Sequence, residues 1–298
     1  MRYKFYTCDV FTESRFGGNQ LAVLPDATGL TTEQMQLVAR EFNYSECTFV
    51  FPAENGNTRK VRIFTRQQEL PFAGHPNIGT AFILAYSGAL NEISENTQIV
   101  FEEKAGLVPI SIRKMGKNKF WCELKAPEAL SLSRTFSKEQ MATILSLISD
   151  EIETSTHMPQ QASVGLPFVI TELKDYKALN KVTVNLDALR ELEAEGVFPA
   201  LYVYIHSDDE FDIRGRMFAP LGGTLEDPAT GSANCALAGL LTHYHVNYEG
   251  QFSWRIAQGV EMQRPSVLYA RTQKQDGDVS GVWVGGSSIV VSEGYIEV

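Results

Sequence analysis

The feature that most constrains this chain is a segment it carries twice. His75-Pro76-Asn77-Ile78-Gly79-Thr80-Ala81 and Asp227-Pro228-Ala229-Thr230-Gly231-Ser232-Ala233 share one pattern, at an offset of 152 residues (75 to 227) in a chain of 298. Arg62-Ile63-Phe64 precedes the first copy and Arg216-Met217-Phe218 the second. Gly18-Asn19-Gln20-Leu21-Ala22-Val23 has a weaker echo in Gly165-Leu166-Pro167-Phe168-Val169-Ile170. Several matches in one order at nearly one offset point to duplication, so the chain should fold as two similar halves. No shorter period appears, which argues against a solenoid or propeller. The halves are expected at 1–127 and 128–298, with Pro127 to Thr135 as the crossing and the last strand a candidate to fold back onto the first half.

Local patterns predict a mixture of short strands and few helices. Tyr3–Phe11, Gln20–Leu24, Thr48–Phe51 and Lys60–Phe64 read as strands, as do Phe168–Thr171, Leu201–Ile205 and Asp212–Phe218. Further strands are expected near Gln98–Phe101, Leu107–Arg113 and Phe120–Leu124. Thr31 to Gln34 and Ser137 to Gln140 are capping-box starts. Met35, Val38, Ala39 and Phe42 give the first of these helices an apolar face. Each duplicated segment leads into an apolar run: a helix after Gly79 ending near Gly88, and a second one through Leu241.

Proline is tolerated in a first helical turn, and Gly followed by Thr or Ser and Ala leaves backbone amides open to a ligand. Such a helix start suits an anion, because free N–H groups and the positive end of the helix dipole coincide there. The two copies are expected to face each other across one small-molecule site, holding a carboxylate and polarising a neighbouring group. Read alone, each is equally a helix cap with Gly for close packing. Glu46, His75 and Asp227 are the candidate acid/base groups. Glu46 leads into an apolar strand, where its carboxyl is either an exposed strand-end group or one with a raised pKa able to shuttle protons near neutral pH. His75 is either structural or catalytic, and Asp227 either a helix N-cap or a site residue.

Composition removes other classes. The net charge of −10 and the lack of a Lys/Arg cluster argue against nucleic acid. Cys8, Cys47, Cys122 and Cys235 are scattered without metal-ligand spacing and read as buried, reduced thiols. His243 and His245 point apart on a helix and lack a third ligand, so no metal is expected. The N-terminal stretch lacks a secretory signal pattern and no run spans a membrane, which makes the expected location cytoplasmic. No dinucleotide, Walker or nucleophile-elbow motif is present.

Tyr44-Ser45-Glu46-Cys47-Thr48-Phe49, Ala73-Gly74-His75-Pro76, Glu226 to Ala233 and Gln258-Gly259-Val260-Glu261-Met262-Gln263-Arg264-Pro265-Ser266 together resemble the phenazine-biosynthesis PhzF-like proteins. Asp9-Val10-Phe11-Thr12 with Gly18-Asn19 fits as well, so the resemblance runs over essentially the whole chain. It implies an α+β, internally duplicated, diaminopimelate-epimerase-like fold, each half a curled sheet or barrel around a central helix, with the active site between the halves. It implies an isomerase of the trans-2,3-dihydro-3-hydroxyanthranilate type, without metal or organic cofactor, acting on a small anionic substrate and often dimeric. By the same resemblance Glu46 is the general acid/base, His75 and Asp227 flank the substrate, the amides at Gly74–His75 and Gly231–Ser232 hold its carboxylate, and Asn19 and Ser232 are further contacts. Racemases and epimerases of this fold use two thiols. The matching positions here are Ala73 and Thr230, which disfavours an amino-acid epimerase. A non-catalytic small-molecule binding protein is the remaining alternative.

Overall fold

A computed structural model describes residues 1–90 and 93–298. In chain order the elements are β1 (Arg2–Val10), β2 (Asn19–Leu24), α1 (Thr32–Phe42), β3 (Glu46–Phe51), β4 (Arg59–Thr65), β5 (Glu69–Leu70), α2 (Gly74–Tyr86), β6 (Asn96–Glu103), β7 (Gly106–Gly116) and β8 (Lys119–Lys125). They continue as β9 (Ser131–Thr135), α3 (Lys138–Leu145), β10 (Gln160–Ser163), β11 (Pro167–Glu172), α4 (Tyr176–Lys181), α5 (Leu186–Ala194), β12 (Leu201–His206), β13 (Ile213–Ala219), β14 (Thr224–Asp227), α6 (Gly231–Tyr244), β15 (Gly250–Gln258), β16 (Ser266–Gln275) and β17 (Asp278–Glu297). Two compact units emerge: Met1–Lys125 with Gly285–Val298, and Ala126–Val284. The segment read as a crossing carries β9, which pairs with β10 inside the second unit. Among the described residues no helix is long and apolar enough to cross a membrane.

In the first unit, α2 is the axis. Gly74 to Ala85 are all buried, and the helix packs on β1, β2, β3, β7 and β8. A helix that is apolar all round has to be enclosed, so the strands curl about it. Gly79 permits the closest approach: a Cβ there would lie 2.6 Å from Leu21 Cδ2 and 2.7 Å from Val10 Cγ2. The sheet is completed by β17, which runs antiparallel to β1 from Arg2↔Glu297 to Val10↔Ser288. The α1 helix lies outside it. The Thr31–Gln34 capping box starts it, and Met35, Val38 and Ala39 cover Phe49 and Phe64.

The second unit repeats this around α6, buried from Ala233 to Thr242 and packed on β10, β11, β15 and β16. Outside it, α3, α4 and α5 cover a second apolar layer of Val169, Leu201, Val203 and Phe218. The sequence reading gave no element for α4, α5 or β14 to β17. Helices as short as α4 and α5 carry too few apolar repeats to stand out, whereas their Asp175 and Asn185 caps are clear once seen.

The structure revises how the two copies correspond. The helices start at Gly74 and Gly231, an offset of 157 residues, not 152. The first helix begins five residues before Gly79, with Pro76 inside its first turn, where no N–H is needed. In this register His75 corresponds to Ser232, and Asp227 to Leu70. Strand pairing agrees, because Ile63↔Leu70 is matched by Met217↔Asp227. An ion pair clamps the strand before each helix: Arg62 Nε–Glu69 Oε1 at 2.7 Å and Arg216 Nε–Glu226 Oε1 at 2.8 Å. Each helix also carries Asn at its fourth residue, whose Nδ2 donates to the N-cap carbonyl: Asn77 to Ala73 at 3.0 Å and Asn234 to Thr230 at 2.9 Å.

Gly79→Ala tests the enclosure of α2. The substitution gains about 1 kcal/mol of helix propensity, but overpacking a filled core costs about 1–3 kcal/mol. We expect a lower denaturation midpoint with unchanged helical content. An increased midpoint would show that α2 is not held this closely to β1 and β2.

Candidate active site

The start of each central helix is built differently from the surface helices. The N-caps of α1 and α3, Thr31 and Ser137, carry side-chain hydrogen bonds, whereas those of α2 and α6, Ala73 and Thr230, have no side-chain cap. The first N–H groups of any helix lack intrahelical acceptors. In α2 these are Gly74 and His75, since Pro76 has none. In α6 they are Gly231, Ser232 and Ala233. Both helix starts therefore have the character of an anion site.

In the first unit, four side chains converge on the start of α2. His75 is buried within its first turn. Glu46, at the start of β3, places Oε2 3.3 Å from His75 Nε2. Asn19, at the start of β2, donates from Nδ2 to His75 Nδ1 at 3.3 Å, and the Ser45 hydroxyl donates to Asn19 Oδ1 at 3.0 Å. The Glu46–His75 approach is close but does not meet hydrogen-bond geometry at Nε2 and Oε2, and the ring also bonds the Gln20 backbone. Burial pushes the imidazole well below its ordinary pKa, so the ring is neutral at neutral pH. The arrangement sets the Glu46 carboxyl beside a buried, neutral imidazole at a helix start.

In the second unit, Asp227 ends β14 and is buried. It is not the N-cap of α6; that position is Thr230. The Thr230 hydroxyl donates a short hydrogen bond to Asp227 Oδ2. Gln258, the last residue of β15, joins the parts. Its Nε2 donates to the Asp227 carbonyl at 2.7 Å and to Thr230 Oγ1 at 3.1 Å. Its Oε1 accepts from Asn234 Nδ2 at 2.8 Å and from the Thr230 amide at 3.2 Å. Gly231 is buried and Ser232 half-buried behind it.

Asn19, Glu46, Gly74 and His75 thus lie together in the first unit. Asp227, Gly231 and Ser232 lie together in the second. The sequence reading gave no role to Ser45 or Asn234. The signal for Asn234 was available as an Asn at the fourth position of both helices, but the offset of 152 hid it. All four cysteines are buried, and burial raises the thiols of Cys8, Cys47 and Cys122, which keeps them protonated. Among the described residues no group of three His, Cys, Asp or Glu side chains could hold a metal ion.

A sequence profile described as phenazine biosynthesis-like protein matches residues 8–294. The chain belongs to that family. It is 34% identical to a trans-2,3-dihydro-3-hydroxyanthranilate isomerase of Pseudomonas aeruginosa over 98% of each chain. It is 35% identical to an uncharacterized isomerase of Mesorhizobium japonicum over 97% of this chain and 96% of the other. The fold is shared with a PhzF-family phenazine biosynthesis protein of Bacillus anthracis, at a TM-score of 0.90 and 23% identity over 100% of both chains. The chain is accordingly an α+β protein of the diaminopimelate-epimerase-like class, in a family of isomerases.

The buried, neutral state of His75 has a direct readout. We expect its ring ¹⁵N shifts to remain those of a neutral imidazole at about pH 6, where an ordinary histidine is largely protonated. Since the folded ring resists protonation, this group stabilises the fold above about pH 6.5 and loses that contribution as pH falls below it. A His75 midpoint at or above the ordinary histidine value would contradict the assignment.

Proposed function

We propose that the chain is a cofactor-independent isomerase that moves a proton within a small carboxylate-bearing substrate, of the trans-2,3-dihydro-3-hydroxyanthranilate isomerase type. The observation that carries this reading is the 3.3 Å contact between Glu46 and a neutral, buried His75 at the start of α2. In the proposed reaction Glu46 as carboxylate removes a proton from a substrate carbon. The electron pair of the broken C–H bond moves into a new double bond, and the pair of the substrate's existing double bond shifts to the atom to be protonated. The carboxylic acid then returns the proton to another atom of the same substrate, so nothing is oxidised and no group leaves. His75, held by Asn19, is the neutral neighbour of the Glu46 carboxyl. The amides of Gly74 and His75 bind the substrate carboxylate.

Asp227, Gly231 and Ser232 are the proposed contribution of the C-terminal half to substrate binding and proton handling. The similarity to the Pseudomonas aeruginosa enzyme supports the substrate class. The cytoplasmic location expected from the sequence and the homodimer implied by the resemblance belong to the same reading.

The N-caps favour this reading over epimerisation by two thiols. They are Ala73 and Thr230, and neither can form a thiolate. The test is turnover of a panel of dihydroaromatic and α-amino carboxylates, with trans-2,3-dihydro-3-hydroxyanthranilate included. Glu46→Gln keeps the shape and hydrogen-bonding reach but cannot carry a proton. We expect it to bind substrate and lose roughly 10²–10⁴-fold in kcat. Activity at a near wild-type rate in Glu46→Gln would overturn the role of Glu46. Exchange of α-hydrogen with solvent in an amino acid would favour the epimerase instead.

A further inference from the structure

Glu103 ends β6 as Gln258 ends β15. The parent strands are equivalent. β6 runs parallel to β4 and antiparallel to β7, and β15 runs parallel to β13 and antiparallel to β16. Each residue faces the Asn at the fourth position of its central helix, Glu103 beside Asn77 and Gln258 beside Asn234.

In the second unit every polar atom of this group is used. The Tyr202 hydroxyl donates to Asn234 Oδ1 at 2.7 Å, and Gln258 serves as both donor and acceptor. In the first unit, Asn77 is fully buried and its Oδ1 has no donor. Neither carboxyl oxygen of Glu103 has a hydrogen-bond partner among the described residues. Gln258 turns its acceptor to Asn234 and its donor to the Asp227 carbonyl and Thr230 Oγ1, and a carboxylate, which offers only acceptors, could not copy that pattern. A carboxylic acid has the shape of the glutamine amide and, like it, one donor and one acceptor face.

We propose that Glu103 is the counterpart of Gln258, stands as a neutral carboxylic acid, and through Asn77 positions the start of α2 on which His75 and the Gly74 amide sit. It is a positioning residue, because it acts through Asn77 and not on a substrate. Burial agrees with this, pushing the carboxyl up to about 8, with Asn77 only partly opposing it. The charged groups on the neighbouring elements are otherwise engaged or neutral. Arg62 pairs with Glu69, and Lys104 acts on Glu69. Lys60 pairs with Glu54, His75 is neutral, and Glu102 accepts from the Glu54, Asn55 and Asn57 amides. Glu102 and Glu103, adjacent in sequence, therefore diverge, the first held well down by its hydrogen bonds and the second held up by burial.

The protonation state stands apart from the isomerase reading; only the effect on turnover rests on it. Folded Glu103 keeps its proton to a higher pH than the unfolded chain does. Wild-type stability should therefore fall, relative to Glu103→Gln, as pH rises from about 4.5 to about 8, and then run parallel to it. Thermal midpoints from pH 5 to 10 should show Glu103→Gln gaining on the wild type across that window, with Glu103→Leu below Glu103→Gln throughout.

Infrared titration of the wild type should show a protonated-carboxyl band lost near the same pH and missing from Glu103→Leu. With a turned-over substrate, Glu103→Gln should hold its kcat one unit above about pH 8, where the wild type drops about tenfold. Parallel midpoint curves at all pH values, equal stability of the Gln and Leu variants, or no such band would each overturn the proposal. If the first two readouts hold and kcat does not respond, Glu103 is a neutral acid but its positioning role is overturned, whereas failure to turn over any substrate of the panel counts against the isomerase reading alone.

Discussion

Everything functional in this chain depends on how a fully buried helix is started. Both α2 and α6 are apolar on all sides, so each has to be wrapped by strands. A helix start placed inside that wrapping has amides that water reaches poorly. Leaving such groups unpaired costs about 1–3 kcal/mol each. Gln258 Oε1 meets part of that demand in the second unit by accepting from the Thr230 amide, and in both units an Asn at the fourth helical residue ties the N-cap by donating to its carbonyl. The remaining amides, at Gly74, His75, Gly231 and Ser232, are the ones a bound anion can use.

Around that shared device the two units differ in the groups supplied by the surrounding strand ends. In the second unit Tyr202 and Gln258 saturate Asn234, and Thr230 ties Asp227 to the helix. In the first unit Glu46 turns instead toward His75, with Asn19 and Ser45 behind it. A saturated amide network is rigid and chemically quiet, while a buried carboxyl beside a neutral imidazole can gain and lose a proton. Duplication gave two similar frames, and on the proposed mechanism the Glu46–His75 pair that handles the proton lies in the first.

Much of the architecture was legible from local pattern. The capping boxes at Thr31 and Ser137, the alternating strands and the apolar runs of α2 and α6 are all short-range signals, and each produces the element expected. The duplication was also readable, but not its register. Asp227-Pro228 resembles His75-Pro76 in letters, yet one dipeptide follows a strand and the other lies inside a helix. Proline fits both settings, so it could not tell them apart. Glu69 and Glu226, clamped by Arg62 and Arg216, mark the true correspondence, and only strand pairing identifies them.

The sequence by itself determined the chemistry on offer: two anion-suited helix starts, the residues Glu46, His75 and Asp227, and non-thiol groups at Ala73 and Thr230. The helix starts and the candidate groups follow from residue type and near-neighbour spacing, and the meaning of Ala73 and Thr230 from the family resemblance. Tertiary structure decided which of these groups meet. Glu46 and His75 are 29 residues apart in the chain, and only the pairing of β3 beside α2 sets them 3.3 Å apart. It also decided protonation. Glu102 and Glu103 are the same residue type in adjacent positions, and alternation along a strand turns one to a row of amide donors and the other toward a buried helix. A side chain's charge depends on what surrounds it in space, and no sequence window contains those surroundings.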